Sequence, residues 1–296
     1  MALHKTIRFI LDHPLNRNQK IKALYKLLTW QVISRLTKDP IIFNWIRGSK
    51  LKIKKGDTGL TGNIYTGLHE FIEMSFLLHF LRSDDLFVDV GANLGSYTVL
   101  ASSVVGAESI SIEPVPSTFK RLIENIEINK ITDKTTCVNK IVGDLEGTVT
   151  VTNDQDTTNH VVAVDEKSNN FISIKATTLE SILSKHNPRL IKIDVEGYEL
   201  PVIIGAQSVL KNDSLNAVIL EMNGSGRRYG FDERKILSLM QKNNFKAYSY
   251  DPYKRNLLNI DIVTDKTDNI IFIRNKPFVD LRLAYAKAFT VHNKTF

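Results

Sequence analysis

Glycines and carboxylates follow two short apolar segments in the first half of the chain. Asp89 and Gly91 end the first segment, Gly95 follows closely, and Glu113 comes directly after the second segment at 110–112. Glycine lets a backbone turn closely around a ligand, and a carboxylate at a neighbouring strand end can accept both hydroxyls of a ribose. The Gly-x-x-x-Gly spacing lacks the tighter glycine turn that a dinucleotide pyrophosphate needs. The pattern therefore favours a nucleoside without phosphate, which indicates S-adenosylmethionine (SAM) and methyl transfer.

The expected cofactor contacts are distributed over both strand ends. Asp89 would accept from the amino-acid part of SAM, directly or through water, while Gly91 and Gly95 keep the loop close. Asn93 lies between the glycines and would touch the cofactor through its side chain or backbone. Glu113 would bind the ribose hydroxyls. The structural alternative is a plain strand-to-helix turn followed by an exposed acid.

A third acid, Asp144, follows Val142 and Gly143 near the predicted end of the third strand. An acid at this place in the sheet could accept from the amino group of adenine. Gly-Asp is also a common turn pair. Both interpretations, adenine contact and turn residue, stay open from the sequence.

Asp194 and Glu196 follow another apolar segment at 190–193. Residues two apart point to the same side of a strand, so we expect the two carboxylates to lie together. Methyl transfer to a hydroxyl needs a group that removes its proton, and a carboxylate at a strand end can do so or can position the acceptor. The structural alternative is a carboxylate that caps the helix expected after Gly197.

Two further sets of residues are candidates for the same chemistry. His160 is expected to be the only histidine facing the pocket, where a neutral imidazole would act as a base near neutral pH. Glu221 and Asn223 could join Asp194 around a Mg²⁺-type ion, because such ions take oxygen ligands. We predict no metal, since the spacing of these three residues is a weak indication.

Apolar strands alternate with amphipathic helices from residue 86 onward, which is typical of a parallel sheet covered by helices on both faces. We therefore predict an α/β fold with a doubly wound, seven-stranded, mostly parallel sheet, as in Rossmann-like class I methyltransferases, whose last two strands form a hairpin. Short β-like runs within 147–176 predict a β insertion before the fourth strand. Strands are expected at 86–90, 109–113, 136–142, 190–195, 217–222, 246–250 and 269–274. Helices are expected at 96–105, 116–129, 177–185, 200–210 and 232–243.

The charge of the chain is concentrated at its N-terminus. Residues 1–60 hold 13 Lys and Arg against 3 acidic residues, whereas the whole chain has a net charge of +7. We predict a basic, mostly helical extension at 1–66 and a SAM-dependent methyltransferase domain at 67–296. The extension would suit an anionic partner such as a membrane surface, an acidic glycan or nucleic acid, or would only be a solvated helical face.

Cysteine use and hydropathy bear on the compartment. Cys137 is the only cysteine, so an intrachain disulfide is excluded. No apolar run approaches the ~18 residues that span a bilayer, and the first 30 residues do not resemble a signal peptide. The expectation is a cytoplasmic protein with no transmembrane segment.

Taken together, these motifs resemble the FkbM family of SAM-dependent methyltransferases. The resemblance covers roughly residues 60–225 and implies O-methylation of a hydroxyl, often on a sugar or glycan, with Asp89, Gly91, Gly95 and Glu113 as cofactor residues. The resemblance does not identify which residue of this chain is the catalytic base. The matching strings are TGNIY at 61–65, GLHE at 67–70, FVDVGAN at 87–93 with Gly95, IEP at 112–114, LIEN at 122–125 with Asn129, TLE at 178–180, IKIDVEG at 191–197 with Glu199, and GA at 205–206.

Other functions fit parts of the pattern. A methyltransferase acting on nucleic acid would use the basic N-terminus, but the chain has no Asp/Asn-Pro-Pro-aromatic string, and Cys137 is not next to a proline as in cytosine C5 enzymes. Another small-molecule hydroxyl is an alternative acceptor. A non-catalytic module would bind SAM without transferring its methyl group. An NAD-linked dehydrogenase is a further alternative, and the glycine spacing argues against it.

Overall fold

The computed structural model describes residues 3–37, 39–152, 161, 171–261 and 269–296. The α-helices, numbered in chain order, are α1 Leu3–Asp12, α2 Lys20–Leu36, α3 Thr58–Thr66, α4 Phe71–Phe80, α5 Ser96–Val99, α6 Pro116–Ile128, α7 Leu179–Leu183, α8 Glu199–Ile204, α9 Gln207–Lys211, α10 Arg234–Lys242 and α11 Lys276–Ala284. The strands are β1 Ile41–Asn44, β2 Lys50–Ile53, β3 Leu86–Val90, β4 Glu108–Ile112, β5 Thr135–Val138, β6 Ile141–Gly143, β7 Gly147–Thr152, β8 Phe171–Thr178, β9 Leu190–Ile193, β10 Ala217–Glu221, β11 Lys246–Asp251, β12 Asn256–Asn259, β13 Asn269–Ile273, β14 Thr290–Val291 and β15 Lys294–Thr295.

The central sheet has the strand order β12-β11-β13-β10-β9-β3-β4-β5 in the described residues. Strand β3 pairs in parallel with β4 on one side and with β9 on the other. The chain thus builds outward from β3 in one direction and returns to build in the other. Such a reversal of strand order leaves a crevice at the carboxyl ends of the strands, which is where open α/β sheets bind ligands.

The predicted α/β class with a mostly parallel sheet is confirmed, although the outer edge differs in detail. Strands β11 and β13 pair in antiparallel fashion, as expected for the last two strands. They do not form a direct hairpin, because the chain first makes β12, an eighth strand that pairs with β11 at the edge. The segment 256–259 has two asparagines around two leucines, so its strand character comes from pairing with β11 and not from its own pattern.

The predicted third strand at 136–142 is divided between two sheets. Strand β5 belongs to the central sheet, whereas β6 pairs with β8 in a separate small sheet. The break occurs at Asn139, whose Nδ2 donates to the carbonyl oxygens of Glu113 and Pro114. Strands β7 and β8 pair in antiparallel fashion and form the predicted β insertion. Within 153–170 of the predicted insertion, only Val161 is described, and it bridges Val151.

Two of the predicted helices are interrupted. The predicted helix 96–105 begins as α5 and continues as a π-helix through 100–105. The predicted helix 200–210 divides into α8 and α9 around Gly205. A Cβ atom at this glycine would lie 2.0 Å from the carbonyl oxygen of Gly143. The helix break therefore lets the chain pass close to the end of β6.

The N-terminal elements pack against the loop that follows β3 and against α6. Leu27 and Trp30 of α2 belong to one buried apolar cluster that also contains Leu94 from the loop after β3 and Leu122 of α6. The proposed division between residues 66 and 67 remains a prediction. None of the helices within the described ranges combines the length and the apolar character that crossing a bilayer requires.

Candidate active site

A cleft of about 320 Å³ opens at the carboxyl ends of β3, β4, β9 and β10. The topology puts these four strand ends side by side at the point where strand order reverses. The cleft therefore collects acidic side chains that are far apart in sequence. Those that line it from the strand ends are Asp89, Glu113, Asp194, Glu196 and Glu221.

Gly91 lies where the loop after β3 contacts the end of β9. Its φ is +80°, and its amide donates to the carbonyl oxygen of Ile112 at 3.0 Å. A Cβ atom at residue 91 would lie 1.8 Å from the backbone carbonyl oxygen of Asp194. Only glycine fits here, because both the backbone conformation and the available space exclude a side chain.

Gly95 has a different role from Gly91. It adopts a φ of +88° at the start of α5 and does not line the cleft. A Cβ atom there would lie 2.6 Å from Cδ1 of Leu122. Gly95 therefore lets α5 and α6 pack closely behind the loop.

Glu113 holds the loop through both of its carboxyl oxygens. Oε2 accepts from the amide of Asn93 at 3.0 Å, and Oε1 accepts from the amide of Val115 at 2.9 Å. Burial raises the pKa of Glu113 to about 7, and the two amide donors lower it by less than burial raises it. Each carboxylate oxygen retains a second lone pair, so the carboxylate can still accept from a ligand.

Asp89 is buried at the base of the same loop. Thr98 Oγ1 donates to Asp89 Oδ2 at 2.8 Å. Burial raises the pKa of Asp89 to about 6, although Lys192 opposes the increase. The side chain lines the cleft and is oriented by α5.

A buried lysine lies between the acidic groups at the bottom of the cleft. Lys192 Nζ donates to Asp194 Oδ2 at 2.6 Å and lies 4.6 Å from the centre of the Tyr97 ring. Burial disfavours its charge, but the carboxylates of Asp194, Glu70 and Asp89 outweigh burial and hold the pKa of Lys192 above its usual value.

Glu70 completes this arrangement from the helical side. Tyr97 Oη donates to Glu70 Oε2 at 2.6 Å, and Asn269 Nδ2 donates to Oε1 at 3.0 Å. Burial would raise the pKa of Glu70, but Lys192, Tyr97 and the other donors lower it below its usual value. The group is therefore an ionised partner of Lys192.

Glu221 differs from the other carboxyl groups in the cleft. Its Oε2 is buried and has no hydrogen-bond partner among the described residues. Burial and the nearby carboxylates of Asp194 and Glu196 raise its pKa well above the usual range. Both effects favour the protonated form of Glu221, which would donate one hydrogen bond into the cleft.

The N-cap residue of α8, Tyr198, makes no side-chain capping bond, and a third acid, Glu199, holds the loop that precedes the helix. Its Oε1 accepts from the amides of Val195 and Gly197, both at 3.1 Å. Asp194 and Glu196 both line the cleft instead. Glu196 adopts a φ of +54°, an uncommon conformation for a residue with a side chain, which turns the chain between β9 and α8.

Besides Gly95, two further candidate residues do not line the cleft. Asp144 is exposed in the turn after β6, so its position fits the turn interpretation. Asn223 accepts from the amide of Ser225 through its Oδ1. Across the described ranges, no three His, Cys, Asp or Glu side chains form a group that could hold a metal ion.

The expectation that only His160 would face the pocket is wrong. His160 itself lies outside the described residues, but His69 lines the cleft. The Nδ1 atom of His69 is buried and has no partner among the described residues, and burial lowers its pKa. His69 belongs to the family string GLHE at 67–70, but no local pattern in this segment places its side chain at the strand ends.

Sequence reasoning also missed Lys192 and Glu70. Lys192 could have been found, because a charged residue inside the apolar run 190–193 shares a strand face with Asp194. Glu70 gave no comparable indication, since its partners Tyr97 and Asn269 are distant in sequence. Only the packing of α4 against the sheet brings these three residues together.

Comparisons with known proteins bear on the family. The model of the methyltransferase FkbM domain matches residues 89–247, more than half of the chain. The hexuronic acid methyltransferase AglP of Haloferax volcanii is 29% identical over 168 residues, which cover 56% of this chain and 65% of AglP. The match thus spans slightly less than two thirds of that relative.

Solved structures show weaker similarity. A TehB-like SAM-dependent methyltransferase from Corynebacterium glutamicum has a TM-score of 0.40 at 10% identity, covering 74% of this chain and 96% of its own. M. capricolum TrmK, in complex with S-adenosyl-homocysteine, has a TM-score of 0.38 at 11% identity, covering 69% of this chain and 68% of its own. At these values, neither structure supports a conclusion about the site.

The family match includes the three strand ends that carry Asp89, Glu113 and Asp194, and it ends within β11. It therefore covers the glycine loop as well as the acidic side of the cleft. The chain belongs to the methyltransferase FkbM domain family.

Proposed function

We propose that this protein is a SAM-dependent O-methyltransferase that acts on a hydroxyl group of a sugar or glycan. The observation that carries the proposal is the single cleft in which the glycine loop, Glu113 and the acidic end of β9 meet. The sugar class is supported by the relative AglP, whose name describes a hexuronic acid methyltransferase. Family membership supports methyl transfer, and the choice of oxygen as acceptor rests on the proton-accepting groups beside the loop.

The residues present fit SAM on the first side of the cleft. Gly91 lets the loop after β3 lie directly against the end of β9, and Glu113 offers lone pairs on two oxygens that backbone amides already orient. Asp89, Gly91, Asn93 and Glu113 would hold the cofactor, with Gly95 supporting the loop from behind. When bound, SAM supplies a methyl group activated by its positively charged sulfur.

Replacing Glu113 with Gln is expected to weaken SAM binding by about 1–3 kcal/mol. The amide group would place a donor against the amide of either Asn93 or Val115 and would remove an acceptor for the ribose. Because the pKa of Glu113 is about 7, wild-type affinity should also fall as the pH decreases through 7, whereas the Gln variant should lack this dependence. Titration calorimetry with SAM at several pH values measures both effects.

Asp144→Asn is the matched control for this experiment, because it changes an exposed carboxylate outside the cleft. It should bind SAM as the wild-type protein does. Equal affinity of the Glu113→Gln variant and the wild-type protein at all pH values would remove the ribose assignment.

The other side of the cleft provides groups for the acceptor hydroxyl. The bond from Lys192 fixes the orientation of the Asp194 carboxylate. We infer that Asp194 accepts the proton of the hydroxyl and that Glu196 positions the acceptor. The raised pKa of Glu221 favours its protonated form, which would donate a hydrogen bond to an acceptor oxygen and would not act as the base. His69 is the second candidate for the base, because its buried Nδ1 has no partner among the described residues and its lowered pKa keeps the ring neutral.

We expect Asp194→Asn to reduce turnover by about a hundredfold or more, the usual contribution of a general base, with SAM affinity unchanged. Asn keeps an acceptor for Lys192 and has nearly the same shape, so the variant tests the proton transfer itself. Glu196→Gln should raise the KM for the acceptor and thereby lower kcat/KM. Turnover is measured by mass spectrometry of methylated products from host glycan extracts incubated with labelled SAM.

His69→Asn is the comparison that separates the two candidate bases. If Asp194 is the base, this variant keeps the wild-type pH profile of turnover. If the Asp194→Asn variant keeps full turnover and the His69→Asn variant loses it, then His69 is the general base.

The alternatives from the sequence have distinct outcomes. A nucleic-acid methyltransferase would methylate RNA or DNA with binding that weakens strongly with salt. Another small-molecule hydroxyl would appear as a labelled product outside the glycan fraction. A module without turnover would bind SAM and label nothing. The cytoplasm is the expected compartment for each of these functions, since a single cysteine suits a reducing environment.

A further inference from the structure

Helix α2 has apolar residues on two opposite faces. One face is buried and packs into the N-terminal cluster through Ala23, Leu27 and Trp30. On the other face, five large apolar side chains recur every three or four residues and form one continuous row. This outer row, with the exposed fraction of each residue, is Ile21 87%, Tyr25 68%, Leu28 65%, Val32 57% and Leu36 79%.

Packing within the described part of the fold does not account for the outer row. It extends for about 22 Å along the helix axis. Single exposed apolar residues are ordinary, whereas contiguous apolar rows on a protein surface mark interaction sites. No described element covers this row, since all five side chains are more than half exposed.

The charges beside the row define the kind of partner. Lys22 and Arg35 are exposed on its two borders, and α2 contains Lys20 and Lys26 as well but no Asp or Glu. The surrounding region is also basic, with 13 Lys and Arg against 3 acidic residues in the first 60. An apolar row bordered by cations is the pattern of a helix that lies in the interface of an anionic bilayer.

We propose that the outer face of α2 binds the surface of a membrane containing anionic lipids, with the helix lying parallel to the bilayer plane. The row would enter the boundary between headgroups and acyl chains, with Tyr25 at headgroup level, while Lys22 and Arg35 contact lipid phosphates. This proposal is independent of the function proposed above.

A second copy of the chain fits the same face less well. Pairing two α2 helices through their outer rows would bring Lys22 and Arg35 of both copies together, with no acidic residue on either helix to balance them. The row is also a convex ridge, which can enter a lipid layer directly but needs a groove on a protein partner.

The test is cosedimentation of the full-length protein with vesicles of phosphatidylcholine, with and without phosphatidylglycerol. We expect binding to the anionic vesicles that weakens with added salt, and little binding to the neutral ones. The double variant Leu28→Ser, Val32→Ser should bind at least about tenfold more weakly because two apolar anchors are lost. The double variant Lys22→Gln, Arg35→Gln should lose about fivefold per charge and much of the salt dependence.

Leu281→Ser is the matched control, because Leu281 is 58% exposed on α11, away from the row. It should bind vesicles as the wild-type protein does, and circular dichroism should show that all variants are folded. Absence of wild-type binding to anionic vesicles, or equal binding by the Leu28→Ser, Val32→Ser variant, would overturn the proposal. A wild-type dimer that this variant converts to a monomer, without vesicle binding, would assign the face to a second copy instead.

Discussion

Replacing Lys192 with Met is expected to lower the free energy of unfolding by about 3–5 kcal/mol, the range seen when one partner of a buried ion pair is removed. Lys192 is 4% exposed and is the cation around which Asp194, Glu70 and Asp89 are arranged. Met fills a similar volume and keeps an apolar contact with the Tyr97 ring. The decrease in the free energy of unfolding therefore measures the contribution of the lysine charge. Urea unfolding followed by tryptophan fluorescence measures it.

The pH dependence of this loss has a definite sign. The pKa of Lys192 lies above its usual value, so the lysine stays charged through the neutral and acidic range. In the variant, the remaining carboxylates have no counterion, and protonation relieves them as the pH falls. The destabilisation should therefore be largest near neutral pH and shrink towards acidic pH, where the carboxylates are protonated. It should also shrink above a pH of about 10.4, where the lysine of the unfolded wild-type chain loses its charge.

A second substitution tests the origin of the loss. Asp194→Asn in the Lys192→Met background removes one of the uncompensated charges and should recover part of the stability, so the two changes should not be additive. Additive losses that do not vary with pH would show that Lys192 contributes through packing alone.

Gly91→Ala is expected to cost more than about 3 kcal/mol of folding stability and to abolish SAM binding. The added Cβ atom would collide with a backbone carbonyl of β9, which cannot rotate away as a flexible side chain could. Separating the loop from β9 would also disturb the orientation of Glu113 through the amide of Asn93. Thermal unfolding and calorimetry with SAM measure the two effects.

Gly48→Ala isolates the cost of the backbone conformation alone. Gly48 has a φ of +83°, close to the +80° of Gly91, but nothing lies within 4 Å of its added Cβ atom. This control should lose only about 1 kcal/mol. Equal losses at both positions would mean that the contact between the loop and β9 has no part in the effect.

Local patterns predicted the core of the sheet and the position of the glycine loop. Strands β3, β4 and β9 are short apolar runs with acids at or directly after their ends, and parallel strands place such ends along one edge. The closeness of Asp89, Glu113 and Asp194 therefore follows from topology alone. Strand β12 was not predictable in the same way, because its pairing with β11 supplies the stability that its sequence lacks.

The strand ends that carry acids and glycines could be predicted from sequence, because alternation, apolar runs and turn residues act over a few neighbouring positions. Only tertiary packing brings His69 into the cleft, places Glu70 where its charge acts on the Lys192–Asp194 ion pair, raises the pKa of Glu221, and leaves the outer face of α2 uncovered by any described element. Each of these properties depends on burial and on charges contributed by residues far apart in the chain. Desolvation and charge interactions act through space, so no local pattern records them.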